Sequence, residues 1–514
     1  MLPLRSFAPR IVALLLSISS LVGSPLAAGV LDEPHLNIIP RTADEMVRIA
    51  AATAPAENFD APNPFEANPA GAATVRARTN ADAFSQPSGN IAFEDELTFK
   101  IGNGLFRKLW VSSPSSTLAS DGLGPLFNAR SCQSCHIKDG RGHTPDGPDD
   151  NAISMFLRVS IPSIGEATNI HDIKGYFATL ADPTYGTQLQ DFAVPGHAAE
   201  YRLQINYHEI PVQLSGGQVA SLRSPTYIAA DLGYGPLDPQ AMLSPRMTPQ
   251  MIGLGLLETI PAADILALAD PDDTNRDGIS GRPNIVWSQE FGTSMLGRFG
   301  LKAGMPTIRE QAAGAFAGDI GISNPIFTDP FGDCSTIQDA CVKAPNGAGD
   351  VRGFEIDAKG LDLVTYYSRN LAVPARNDAG DPKVLRGKQI FYQTGCTACH
   401  QPNFVTHRLV DRPEQSFQLI WPYTDMLLHD MGEGLADHRP EARANGREWR
   451  TAPLWGIGMT ERVSDHKNFL HDGRARSLLE AILWHGGEAE NARTRVIDMP
   501  PADRDALVSY LESL

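Results

Sequence analysis

Residues 132–136 read CQSCH, and residues 396–400 read CTACH. On a helical turn, side chains three and four apart share a face. Two thiols so placed can meet the two vinyl groups of one porphyrin, while the adjacent imidazole reaches the iron. C-x-x-C-H is accordingly the attachment signal for haem c. A zinc site needs four ligands, commonly from two Cys/His pairs close in sequence, and these pairs stand far apart in the chain. A thioredoxin-like dithiol would want a βαβ context, which is not apparent around either stretch. Two covalently bound haems c are therefore expected. Cys132, Cys135, Cys396 and Cys399 would form the thioethers, and His136 and His400 would be proximal iron ligands.

The chain has six cysteines, and the remaining two, Cys334 and Cys341, lie in DCSTIQDAC. In an exported protein whose other cysteines are occupied, a disulfide is the economical reading. A redox-active dithiol is the alternative, although nothing nearby would obviously depress a thiol pKa.

Export is expected from the amino terminus. Met1 to Ala28 opens with Arg5 and Arg10, runs apolar through IVALLLSISSLVG and closes on the small residues of SPLAA. That is the layout of a secretory signal, with Leu26 an imperfect residue three back from a cut after Ala28. An uncleaved anchor is the other reading. No later stretch approaches the roughly 20 apolar residues that span a bilayer, so the expected location is the periplasm, with no stable membrane insertion after cleavage. The net charge of −17 argues against nucleic-acid binding and suits a small basic partner.

Residues 29–90 are rich in Ala, Pro and Asn and read as a lead-in segment. Helical spacing begins in EDELTFKIGNGLFRKLWV. Residues 151–230 alternate in MFLRVSIP, YRLQINY and PVQLSGGQVASLR, which predicts short strands or a hairpin. A helix is expected in TPQMIGLGLLETI, with Thr248 as N-cap and Pro249 as first helical residue. KGLDLVTYYSRNLAVP predicts another, ended by Pro374. The polar, Gly- and Pro-bearing stretch ARNDAGDPKV marks a boundary. This divides the chain into a signal (1–28), a lead-in (29–90), a first haem c domain with insertions (91–375) and a second cytochrome c domain (385–514). PADRDALVSYLESL should close the chain as a helix with Leu507, Leu511 and Leu514 on one face.

Five blocks, SDGLGPLFNARSCQSCHIKDGRG, GRFGLKAGMPTIREQAAGAFAGDIGIS, YTDMLLHDMGEGLAD, EWRTAPLWGIG and FLHDGRARSLLEAILWHGGEA, together resemble the di-haem c-type oxidoreductases. These are also labelled peroxidases or thiol oxidoreductases and are similar to bacterial di-haem cytochrome c peroxidases. The likeness covers roughly residues 70–514. It implies a mainly α fold of two cytochrome c-like domains, the first enlarged by loops and short strands. It also implies one haem for chemistry and one as electron reservoir, which the two electrons of peroxide reduction make useful.

The resemblance also suggests site residues. His485 is the leading sixth ligand of the second haem, with Met431, Met459, His429 and His471 as other candidates. Ser477 and Glu480 form an S-x-x-E capping box ahead of His485. Gln311 matches a distal Gln of the relatives, and Asp319 is the nearest acid that could move a proton between peroxide oxygens. The relatives keep a Trp between the haems where this chain has Leu301; Trp287 is the candidate replacement, and the absence of any bridge is the alternative. In DPDDTNRDGISG, Asp273, Asn275 and Asp277 resemble the first half of a calcium loop, without its final Glu.

The leading functional expectation is a periplasmic di-haem oxidoreductase of peroxidase type, an enzyme drawing electrons from a small cytochrome c or cupredoxin and passing them to hydrogen peroxide or another small oxidant. One rival is a non-enzymatic di-haem electron carrier. Another keeps the architecture but oxidises an organic or protein substrate.

Overall fold

Phe99, Gly102 and Phe106 fall on the buried face of helix α1 (Glu96–Phe106). Gly102 is where this helix crosses α3 (Ala358–Arg369): a Cβ there would stand 2.2 Å from the Leu363 carbonyl oxygen. Between them in sequence, α2 (Ile308–Gly318) starts on Thr307, whose hydroxyl accepts the Glu310 N–H. The computed structural model describes residues 32–145, 147, 150, 153–163, 173–177, 179–348 and 353–514. The expected signal lies outside the described residues.

The carboxy-terminal part repeats the same device. Asp381 caps α4 (Pro382–Thr394), with Pro382 in its first turn. Gly387 lets that helix cross the terminal helix, where an added Cβ would stand 2.0 Å from the Ala506 carbonyl oxygen. Helix α5 (Leu478–Leu483) is capped by Ser477, but Glu480 reaches the Arg476 N–H rather than that of Ser477, so the expected box is half formed. The terminal helix, α6 (Pro501–Ser513), buries Leu507, Leu511 and Leu514 as its spacing requires.

Strands are as prominent as the alternating stretches suggested. Strand β1 (Met155–Pro162) pairs antiparallel with β4 (Met242–Met247). Between them β2 (Arg202–Gln213) and β3 (Val219–Ala230) form one long hairpin. Its tip reaches the terminal helix, where Arg504 donates to Ser215 O and Gln218 Oε1, each at 2.9 Å. Leu214 and Leu222 of the hairpin lie in the same core as Trp421, Leu483 and Leu511. An insertion from the first half of the chain thereby straps the second. A last pair, β5 (Leu428–Asp430) with β6 (Glu448–Arg450), forms part of the cavity wall described below.

Two expectations are corrected. The fold is not mainly α: helix accounts for 29% and strand for 18%, the strands lying in eight small sheets among the described residues. With 39 prolines and 46 glycines the helices stay short, and loops paired as ribbons fill the space between them. No helix begins at Thr248 and Pro249. The helix in that block is Leu254–Glu258, after Gly253 in the left-handed region at φ 71°. Thr248 instead donates its hydroxyl to Ser154 O, and the Pro249 carbonyl accepts from His136. A carbonyl directed at a side chain leaves the helical ladder.

The lead-in is tied down by charge. Glu66 is fully buried between Arg376 and Lys388, and Tyr423 donates its hydroxyl to it at 2.8 Å. Arg376 in turn donates to Ser513 Oγ at 2.8 Å. One carboxylate thus joins the lead-in, the segment before α4, the middle of α4 and the chain end. Burial pushes the Glu66 carboxyl up, but Arg376 and Lys388 outweigh it and hold the group below its ordinary value.

A second cluster has the opposite sign. Asp191 accepts from Asn128 Nδ2 at 2.9 Å, and Glu200 accepts from Gln338 Nε2 at 2.5 Å. Gln338 lies inside the loop closed by the Cys334–Cys341 disulfide. With no cation beside them, burial pushes both carboxyls up to about 8.

Two outcomes follow for solution work. Glu66→Gln leaves two cations buried without an anion and should cost about 3–5 kcal/mol, read as a lowered denaturation midpoint; an unchanged midpoint would contradict the network. Asp191 and Glu200 favour the folded state while protonated, so their contribution is full below the ordinary carboxylate range and is lost as pH rises toward about 8. Thermal unfolding across that window should show stability falling, with a shallower slope in Asp191→Asn.

Candidate functional site

The two C-x-x-C-H motifs are built differently and finish alike. Ser131 caps a single helical turn, Cys132–Cys135, by accepting the Ser134 N–H at 3.2 Å. The His136 N–H then donates to Cys132 O at 2.9 Å. At the second motif Gly395, at φ 92°, ends α4 and turns the chain at once into Cys396. The His400 N–H donates to Cys396 O, also at 2.9 Å.

Each imidazole is then fixed by a backbone carbonyl. His136 Nδ1–H donates to Pro249 O and His400 Nδ1–H to Tyr423 O, both at 2.9 Å. That bond selects the tautomer whose Nε2 carries the lone pair, the form that ligates a metal. Burial pushes both rings down to about 4, so both are neutral. Tyr423 presents its carbonyl from the left-handed region, φ 54°. For a non-glycine residue this costs of order 1–3 kcal/mol and persists only where the surroundings impose it.

Both motifs open into one cavity of about 680 Å³. Phe106, Phe299, Leu301, Leu454 and Ile482 supply much of its apolar lining. Burial pushes the Cys132 and Cys396 thiols up to about 12, the reverse of what a reactive thiolate needs. Paired cysteines on an apolar wall, next to a neutral imidazole with free Nε2, are a donor set that fits a covalently held porphyrin.

The sixth-ligand candidates separate cleanly. His485 lines the cavity, its Nδ1–H donates to Ala481 O at 2.7 Å, and it lies within electrostatic reach of His400. Its Nε2 has no hydrogen bond among the described residues. Met431 also lines the cavity, whereas Met459 is buried in a core with Phe84, Leu256 and Trp455. His429 has both ring nitrogens engaged, Nε2 by Asp425 at 2.8 Å and Nδ1 by Glu488 at 2.7 Å. Burial alone would push it down, but those carboxylates hold it well above the ordinary histidine value. His471 stacks on Trp449, ring centroids 3.8 Å apart.

Gln311 and Asp319 both line the cavity. Asp319 closes α2, and Gln188 Nε2 donates to its Oδ1 at 2.8 Å. Burial, only partly offset by that bond, pushes its carboxyl up. Its charge acts on both Cys132 and Cys135, which places it at the first motif. Among the described residues no second imidazole acts on His136; burial lowers its proton affinity and the Pro249 carbonyl partly offsets that.

Trp287 is not on the cavity wall. Among the described residues the tryptophan there is Trp449 of β6, stacked on His471 and near the cations of Lys302 and Arg246, 4.5 and 5.1 Å from its ring. Leu301 lies alongside, its carbonyl accepting the Arg450 N–H at 3.0 Å. EWRTAPLWGIG was conspicuous in sequence, but nothing in it told Trp449 from Trp455, which is core.

The loop of Asp273, Asn275 and Asp277 satisfies itself. Asp273 accepts the Gly278 N–H, Asp277 accepts that of Ile279, and Asn275 Nδ2 donates to Asp277 Oδ2. Among the described residues, no three His, Cys, Asp or Glu side chains converge as a metal site requires. Asp277 instead reaches the cavity wall.

No curated protein matches this chain. Among solved structures it is similar to the hydrazine synthase of Kuenenia stuttgartiensis, pressurised with 20 bar xenon, at 19% identity. The match covers 37% of this chain and 65% of that one, less than two thirds of its length, with a TM-score of 0.21. A likeness of that size carries no argument. A family model does: the one described as "Di-haem oxidoreductase, putative peroxidase" matches residues 66–514, a span that includes both motifs and every side chain placed on the cavity wall. The chain belongs to the di-haem oxidoreductase family.

Proposed function

We propose that this chain is an exported, periplasmic enzyme that carries two covalently attached haems c and reduces hydrogen peroxide with electrons from a small cytochrome c or cupredoxin. The observation that carries the reading is the asymmetry of the two sites. His400 has a second imidazole, His485, within electrostatic reach, whereas among the described residues none acts on His136, and Asp319 lies at that first motif in a cavity that Gln311 also lines. Two firm ligands suit electron transfer, and an open position suits chemistry.

When bound, haem iron supplies the redox centre for a two-electron reduction in which one peroxide and two protons yield two waters. The chain's part is to hold and move protons. Burial raises the Asp319 carboxyl, so it holds a proton more readily than an ordinary carboxylate, and Gln188 fixes Oδ1. That leaves Oδ2 as the atom from which a proton departs toward the leaving oxygen. Gln311 makes no side-chain hydrogen bond among the described residues, so its amide is available to orient a small polar substrate. His136 and His400, neutral and fixed through Nδ1, would bind from Nε2, and His485 would complete the second site. The apolar wall keeps bulk water from competing for the same donors.

The test is peroxide reduction with reduced cytochrome c as donor. Asp319→Asn should lower turnover by about 10²–10⁴-fold while leaving two haems per chain. Wild-type turnover retained in that variant, or no turnover in the wild type, would contradict the assignment.

A further inference from the structure

Arg141 and Arg450, both half-buried on the cavity wall, make no ion pair among the described residues. Arg246, Arg298 and Arg493 line the same cavity, and each holds a carboxylate: Glu441 at 3.1 Å, Glu33 at 2.7 Å and Glu490 at 3.0 Å. Arg141 instead gives Nη2 to Leu470 O at 2.9 Å and Nε to Asn468 O at 3.4 Å. Arg450 gives Nε to Gly300 O at 3.1 Å and Nη1 to Thr451 O at 3.0 Å. Carbonyl oxygens satisfy N–H groups without neutralising the charge, and a guanidinium removed from water without an anion is costly. Burial pushes both down to about 10. Nη1 of Arg141 and Nη2 of Arg450 remain without a hydrogen bond among the described residues.

The two arginines stand at different places. Arg141 follows His136 by one short turn, and its backbone N–H donates to Ser464 Oγ. Arg450 responds to the charge of Asp425, whose own N–H donates to Cys399 O at 3.0 Å. Arg450 therefore lies toward the second motif, where its bond to Gly300 holds it on the cavity wall.

We infer that Arg141 and Arg450 are carboxylate-binding positions, each receiving a porphyrin propionate, Arg141 at the first haem and Arg450 at the second. A planar guanidinium with a free N–H edge is suited to a carboxylate. The inference rests on the di-haem reading and adds a positioning role to it. A positive charge beside a propionate disfavours the ferric state, which carries one more positive charge than the ferrous, so each arginine raises the reduction potential of its own haem.

The experiment is a spectroelectrochemical titration of the holoprotein, with haems per chain counted as the pyridine haemochrome. Arg141→Gln should lower one midpoint by about tenfold in the ferrous-to-ferric ratio at fixed potential, about 59 mV for a one-electron couple. Arg450→Gln should act mainly on the other. Arg141→Lys and Arg450→Lys keep the charge and should stay within about threefold of wild type. Haem lost from a Gln variant but kept by its Lys counterpart also supports the inference. Two haems retained with neither midpoint moved in the Gln variants overturns it and leaves the di-haem reading standing. Fewer than two haems in the wild type overturns both.

Discussion

The structure turns on a hydrogen bond made twice, from the Nδ1–H of a histidine to a backbone carbonyl. An imidazole next to a C-x-x-C turn is free to rotate and to exchange tautomers. The bonds to Pro249 and Tyr423 remove both freedoms and leave Nε2 as the only lone pair. Each carbonyl is delivered at a local cost. Thr248 to Gln250 stay outside any helix where their composition favours a helix start, and Tyr423 adopts a left-handed backbone. The hydroxyl of that same tyrosine is anchored on Glu66. The buried charge network of the lead-in and the orientation of the second histidine thus meet in one residue.

The charges around the cavity are sorted rather than balanced pair by pair. His429 is clamped by Asp425 and Glu488, Lys302 by Asp437, and Arg246 by Glu441. On the side of the first motif burial outweighs the charge of Arg158 at Asp319 and raises its carboxyl, and Asp191, with no cation acting on it among the described residues, is pushed up to about 8. A wall that holds protons at one motif and a facing imidazole at the other are opposite provisions. They are what chemistry at one haem and electron storage at its neighbour would ask of the protein.

Much of this was legible in sequence because it depends on near neighbours. The C-x-x-C-H turns, the helix beginning at Pro501 and the hairpin in PVQLSGGQVASLR are decided by spacing over a dozen residues or fewer. The mainly α expectation failed because the alternating stretches and the density of proline and glycine keep helices short and favour paired ribbons. Pro249 and Tyr423 could not have been singled out, since a carbonyl carries no signature of its type and its partner lies far away in the chain. Trp449 was hidden for a related reason: Trp455 stands six residues on, both are buried, and only the fold decides which of them lines the cavity. The Asp273 loop had ligand-like spacing, but spacing alone cannot say whether the carboxylates face an ion or their own backbone.

The most direct measurement is the paramagnetic-resonance spectrum of the purified holoprotein, fully oxidised and half-reduced, before and after hydrogen peroxide or cyanide. The account predicts one low-spin haem with two nitrogen ligands that ignores both reagents. It predicts a second, high-spin and open on half-reduction, whose signal disappears when either is added. Two low-spin haems, indifferent to peroxide and cyanide in every redox state, would contradict it and leave an electron carrier.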